Sequence, residues 1–135
     1  MGVCAFVASG LNFDVDRYLR SSPFKPMSVF RKGEIPPRDN PQRKPRPDSG
    51  FVILLSQDQE PGLTRQIQDA LAFIFNQEKE LERLKEYGVD NMLMDFAVGA
   101  GGSLQQSQYL PPELILALGA WKMGLMFSAI QIPRG

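Results

Sequence analysis

The sequence predicts an α+β domain: a single, mainly antiparallel sheet in the element order β-α-β-β-α-β-α-β, with the helices packed on one face. Three observations lead there. Five short apolar runs, several of them β-branched, are separated by Gly, Pro, Asn and Asp. One long segment repeats apolar residues at three- and four-residue spacing, the period of a helix face. The chain has 135 residues, 43% of them hydrophobic and 22% charged, which suits one domain with a true core. Residues 1–135 are therefore read as one domain, with a Pro/Arg/Lys-rich loop at about 32–49.

Each element has a local cause. "VCAFVAS" at 3–9 is apolar and ends at Gly10, so it reads as a strand. Asn12 or Asp14 then supplies an N-cap for a short helix with Val15, Tyr18 and Leu19 on one face, stopping before Pro23. "MSVFR" at 27–31 alternates as a second strand, and "FVILLS" at 51–56 reads as a strand buried on both faces. Leu63, Ile67, Leu71, Ile74, Phe75, Leu81 and Leu84 mark one helix between Pro61 and Gly88. Gly88 is its natural left-handed cap, and such a helix would run about 36 Å. "NMLMDFAV" at 91–98 is a fourth strand, with Met92, Met94, Phe96 and Val98 on one face and Leu93, Asp95 and Ala97 on the other. "PPELILALGAW" is a short helix with Pro112 in its first turn, and "GLMFSAIQI" closes the sheet.

Composition removes several kinds of chemistry. Histidine is absent, so Ser-His-Asp and Cys-His nucleophilic systems and every His-based metal site are excluded. The lone Cys4 makes neither an internal disulfide nor a structural zinc site, and it suits a reducing cytoplasm. The expectation is no metal, no cofactor and no catalytic residue. Fifteen basic and fifteen acidic residues balance to zero, which argues against a nucleic-acid partner. The apolar tail is interrupted by Lys122, Gly119 and Gly124, so no membrane span is expected. Gly2 and Cys4 raise dual acylation, but Phe6 stands where such a signal wants Ser or Thr, and a first strand is the reading.

The stretches "GLNFDVDRYL", "VFRKGE", the long charged helix ending at Gly88, and "LPPELILALGAWKMGLMFSAI" resemble an uncharacterised bacterial family of small α+β domains. Family members usually carry a Trp in the third strand, where this chain has "GFVILLS". The resemblance spans nearly the whole chain. It implies the fold and brings no activity with it.

The most unusual stretch is "RKGEIPPRDNPQRKPRPDSG", Arg31 to Gly50, with six basic residues and five prolines. It lacks aromatics on which bases would stack. No two of its prolines stand three apart, so it holds no P-x-x-P motif. It reads as a charged connecting loop whose Arg31, Lys32, Arg38, Arg43, Lys44 and Arg46 form a binding patch for an acidic partner. "GAGGS" lacks the helix that must directly follow a phosphate cradle, and is read as a loop. Asp14 and Asp16 are cap and first-turn residues. Asp95 is a carboxylate on a strand, facing either solvent or a basic neighbour. The functional expectation is a non-enzymatic cytoplasmic protein-interaction module and a homodimer, with immunity-type binding of a partner protein as one concrete version. The alternative is a small-molecule-binding protein or enzyme with a site around Asp95, Arg31 and Lys32.

Overall fold

The structure is a computed structural model that describes residues 3–38, 43–55, 62–99 and 108–130. Among them run β1 (Ala5–Gly10), α1 (Val15–Arg20), β2 (Ser28–Phe30), β3 (Ser49–Leu54), α2 (Leu63–Asn76), α3 (Glu78–Glu86), β4 (Asn91–Gly99), α4 (Pro112–Ala120) and β5 (Gly124–Ile130). The strands form a single five-stranded sheet in the order β2-β3-β1-β4-β5. The α+β class is as expected, but the sheet is mixed and not mainly antiparallel. Strand β1 is antiparallel to both β3 and β4, β2 is antiparallel to β3, and β4 and β5 are parallel. The connection from β4 to β5 contains α4 and is long enough to carry the chain back to the end where β4 began. The element order also gains a helix, β-α-β-β-α-α-β-α-β.

Register explains the core. Phe6 stands opposite Ile53 and Met94, and Ala8 opposite Phe51 and Met92. All six are buried, and on this face the helices add Val15, Tyr18, Ile67, Ala70, Ile74, Leu81, Leu84, Leu114 and Leu118. The alternate set, Ala5, Val7, Val52, Leu54, Leu93 and Asp95, points to the other face and is half-buried or exposed. Strand β3 is therefore not buried on both faces, because no described helix covers the second one.

The N-cap of α1 is Asp14, whose Oδ1 accepts from the Arg17 N–H at 3.1 Å. The expected single long helix is broken at Gln77, whose backbone angles (φ −115°, ψ 26°) lie outside the α-helical range. The hydrogen-bond ladder is interrupted there: the Gln77 N–H to the Phe73 carbonyl is the last bond of α2 and the Leu81 N–H to the Gln77 carbonyl the first of α3, both 2.9 Å. Among the described residues no backbone bond joins Glu78, Lys79 or Glu80 to the turn before. A straight helix of about 36 Å would overrun strands of about 20–30 Å. On either side of the break, Ile74 of α2 and Leu81 and Leu84 of α3 lie in the same core. Helix α3 ends in a Schellman motif: the Gly88 N–H bonds the Lys85 carbonyl at 3.1 Å and the Val89 N–H bonds the Leu84 carbonyl at 3.0 Å. Gly88 has φ +105°, and a Cβ there would lie 2.7 Å from the Asn12 carbonyl oxygen. The β1–α1 and α3–β4 turns thus pack backbone on backbone.

Helix α3 is clamped to α1 by its polar side chains. The Tyr18 hydroxyl donates to Glu80 at 2.7 Å, while the Tyr18 ring stacks on Phe51 with centroids 5.7 Å apart. The Arg83 guanidinium lies over the rings of both Tyr18 and Tyr87, 5.2 Å from each centroid. The charged run along α3 is therefore partly structural.

Candidate functional site

Asp95 lies on β4, on the sheet face that no described helix covers, with its Cα partnered to Ala5 on one side and Met126 on the other. Parallel pairing with β5 brings Ser128 beside it, and the Ser128 hydroxyl donates to the carboxylate at 2.7 and 2.8 Å. Its neighbour is a hydroxyl and not the basic group considered from sequence. A serine beside a carboxylate becomes a nucleophile only with a base strong enough to take its proton and a third group that orients the base. Among the described residues no such third group touches Asp95.

Arg31 and Lys32 do not reach this point. They follow β2, and β3 and β1 lie between β2 and β4, a lateral distance of about 14 Å at 4.8 Å per strand. Arg31 is held instead by Asp16, with Nη2 to Oδ1 at 2.7 Å and Nε to Oδ2 at 2.9 Å. That pairing holds the Asp16 carboxyl below its ordinary range. Asp95, Arg31 and Lys32 form no common site.

Cys4 is buried under the helices, its Sγ 3.9 Å from the Met94 sulfur. Burial first, and then the charges of Asp95 and Asp69, push its thiol up to about 12, so it is neutral and unreactive at physiological pH. Among the described residues no three His, Cys, Asp or Glu side chains converge on a metal position.

The basic proline tract is described at 31–38 and 43–48 and forms no strand or helix there. It is nonetheless clasped. The Gly33 N–H bonds the Arg46 carbonyl at 2.9 Å and the Arg46 N–H bonds the Glu34 carbonyl at 2.8 Å, extending the β2–β3 pairing outward. Pro36 is buried, and Arg46 lies over the Phe30 ring at 5.2 Å. All six candidate basic residues are exposed, but they divide by contact: Arg31 pairs with Asp16 and Arg46 lies over Phe30, while for Lys32, Arg38, Arg43 and Lys44 no side-chain partner is seen among the described residues. "GAGGS" falls, after Gly99, outside the described residues.

The most distinctive surface was not legible as a site. Helices α2 and α4 enclose a groove of about 570 Å³, lined chiefly by Leu71, Ile74, Phe75, Ala117 and Trp121. Phe75, which lines it, is 78% exposed; on α4 Leu116, next in sequence to the lining Ala117, is 72% exposed, and Ile115 and Tyr109 also face solvent. The Trp121 ring lies under the Lys85 ammonium, 4.7 Å from its centroid. Sequence periodicity placed Phe75 in the core stripe of the helix. Ile74 takes that position, and consecutive residues turn about 100° apart, so Phe75 points away from the sheet. The usable signal was α4 itself: "LILALGA" is apolar around its whole circumference, more than one buried stripe requires. Comparison with protein-family models, curated proteins and solved structures found no match to the chain.

Proposed function

We propose that this protein is a non-enzymatic protein-interaction module, and that a partner protein docks in the groove between α2 and α4. One observation carries the reading: Phe75, a large apolar side chain lining an apolar groove, is mostly exposed to water, and so is Leu116, next in sequence to the lining Ala117 on α4. Contiguous exposed apolar surface of this kind marks interaction sites in soluble proteins. An amphipathic helix of the partner fits such a groove, laying apolar residues at i, i+4 and i+7 between the two helices. The exposed Lys32, Arg38, Arg43 and Lys44 add attraction for an acidic surface on the partner, acting on the rate of encounter more than on affinity. Immunity-type neutralisation of a partner protein is one form this takes. A cytoplasmic setting accords with the single buried thiol, and no helix among the described residues is long and apolar enough to cross a membrane.

The test uses a photo-crosslinking amino acid at position 75 in cells, followed by purification of the trapped protein. Trp121 is the only tryptophan in the chain and lines the groove, so its emission reports binding of that partner directly. The expected result is a saturable emission change that Leu116→Asp abolishes without lowering the melting temperature. A partner bound equally well by Leu116→Asp, or crosslinking at position 75 no greater than at exposed Glu82, would overturn the reading.

A further inference from the structure

The two edges of the sheet are built differently. The β2 edge has three paired residues, follows Pro26 and runs into Arg31 and Lys32, the short, charged and proline-flanked design that keeps an edge from pairing. The β5 edge has seven residues, "GLMFSAI", with no charge and no proline. Only β4 pairs with it, and among the described residues no backbone hydrogen bond reaches it from anywhere else. Every second residue of such an edge turns its N–H and C=O away from the sheet. Leu125, Met126 and Phe127 are 38%, 47% and 43% exposed.

We infer that β5 pairs with β5 of a second copy of this chain, antiparallel and about a two-fold axis at Phe127, joining two sheets into one of ten strands. The strand's own order points to itself as the occupant. With Phe127 on the axis, Leu125 meets Ala129 and Met126 meets Ser128, so a large side chain faces a small one on each side, and the two Phe127 rings meet at the centre. Facing aromatic pairs and apolar pairs without like charges are the favourable cross-strand combinations. A two-fold contact uses the same patch on both copies, and the blunted β2 edge prevents further growth, so association stops at the dimer. The ladder is narrow against a standard interface of about 800 Å² per partner, so the dimer dissociates on dilution. This surface is separate from the α2–α4 groove, and its failure leaves the groove reading intact.

Phe127→Cys tests the register. Facing Cα atoms of an antiparallel pair lie about 4.5–5.5 Å apart, inside the range of about 4.4–6.8 Å that a disulfide spans. The native Cys4 is buried and gives little background. With a mild oxidant, Phe127→Cys is expected to form a disulfide-linked dimer at least tenfold faster than Phe75→Cys, a control on α2 that is 78% exposed against 43% for Phe127. Sedimentation of the wild-type chain is expected to show a monomer–dimer equilibrium, and Met126→Lys to give a folded monomer by circular dichroism. Should Phe127→Cys fail to fold, the wild-type and Met126→Lys sedimentation decides alone. Cross-linking of Phe127→Cys no faster than of Phe75→Cys, a wild-type monomer from micromolar to millimolar concentration, or a dimer that survives Met126→Lys would each overturn the proposal.

Discussion

Replacing Gln66 with Leu removes two hydrogen bonds while nearly preserving side-chain volume, and so isolates what one polar side chain contributes to this sheet. The β1–β4 ladder ends at the pair Ala5–Asp95, two residues short of Ala97. Gln66, almost wholly buried on α2, fills the gap: its Nε2 donates to the Ala97 carbonyl at 2.9 Å and its Oε1 accepts from the Ala97 N–H at 2.8 Å. The amide stands in for the next residue of a missing strand. Each bond contributes about 1 kcal/mol net, and leaving a buried backbone group unpaired costs about 1–3 kcal/mol. Ala97 is half-buried, so water recovers part of that. The expected loss for Gln66→Leu is about 2–4 kcal/mol, or about 10 °C in melting temperature for a chain this size. Urea unfolding with an unchanged m-value would measure it, and amide exchange should quicken at Ala97 more than at Leu93, which β1 and β5 continue to flank. Gln66→Glu is the companion variant, because an ionised carboxylate accepts from the N–H but cannot donate to the carbonyl. A loss under about 0.5 kcal/mol for Gln66→Leu would refute the account, since that is the usual scatter of a neutral substitution.

Gly88→Ala should cost more than about 2 kcal/mol in denaturant unfolding, because a left-handed Ala is strained and its Cβ would lie 2.7 Å from the Asn12 carbonyl oxygen. Cys4 gives a pH dependence of definite sign. Its thiol is raised from 9.0 to about 12 in the folded chain, so its contribution is fully present below about pH 9 and is lost as pH rises toward 12. The slope is about 1.4 kcal/mol per pH unit in that window, and Cys4→Ala should flatten the alkaline limb of a stability–pH curve by this amount. In the basic tract, replacing Arg38, Arg43 and Lys44 by Ser should shift stability by no more than about 0.5 kcal/mol in thermal melts. Arg46→Ser should lose a further 0.5–1 kcal/mol or so, the contribution of a cation over the Phe30 ring.

Sequence reading went furthest where the cause of structure is local. Alternation in "NMLMDFAV" correctly divided Met92, Met94 and Phe96 from Leu93, Asp95 and Ala97, because strand geometry assigns alternate side chains to opposite faces whatever the neighbouring strand is. Asp14 as cap and Gly88 as terminator were equally legible, since each acts on backbone groups within a few residues. The candidate site was far less legible. Exposed basic residues could be found in the tract, but the sequence did not separate Arg31, paired with Asp16 fifteen residues earlier, from Arg38 or Lys44. Phe75 looked like core because its spacing matched a helical stripe, and only the break at Gln77 and the placement of α4 beside α2 set which stripe met the sheet.

Periodicity, capping and composition determined by themselves where the strands and helices lie, apart from the break at Gln77, and that no chemistry in the chain draws on histidine. Tertiary structure alone decided that β5 runs parallel to β4, that Gln66 completes a ladder 31 residues away, and that Phe75 and Leu116 remain outside the core. The division has a physical reason. Helix and strand propensities arise from contacts within about four residues. Strand direction, and the choice of which apolar side chain is buried, are settled when loops of many residues close and several elements compete for one limited interior.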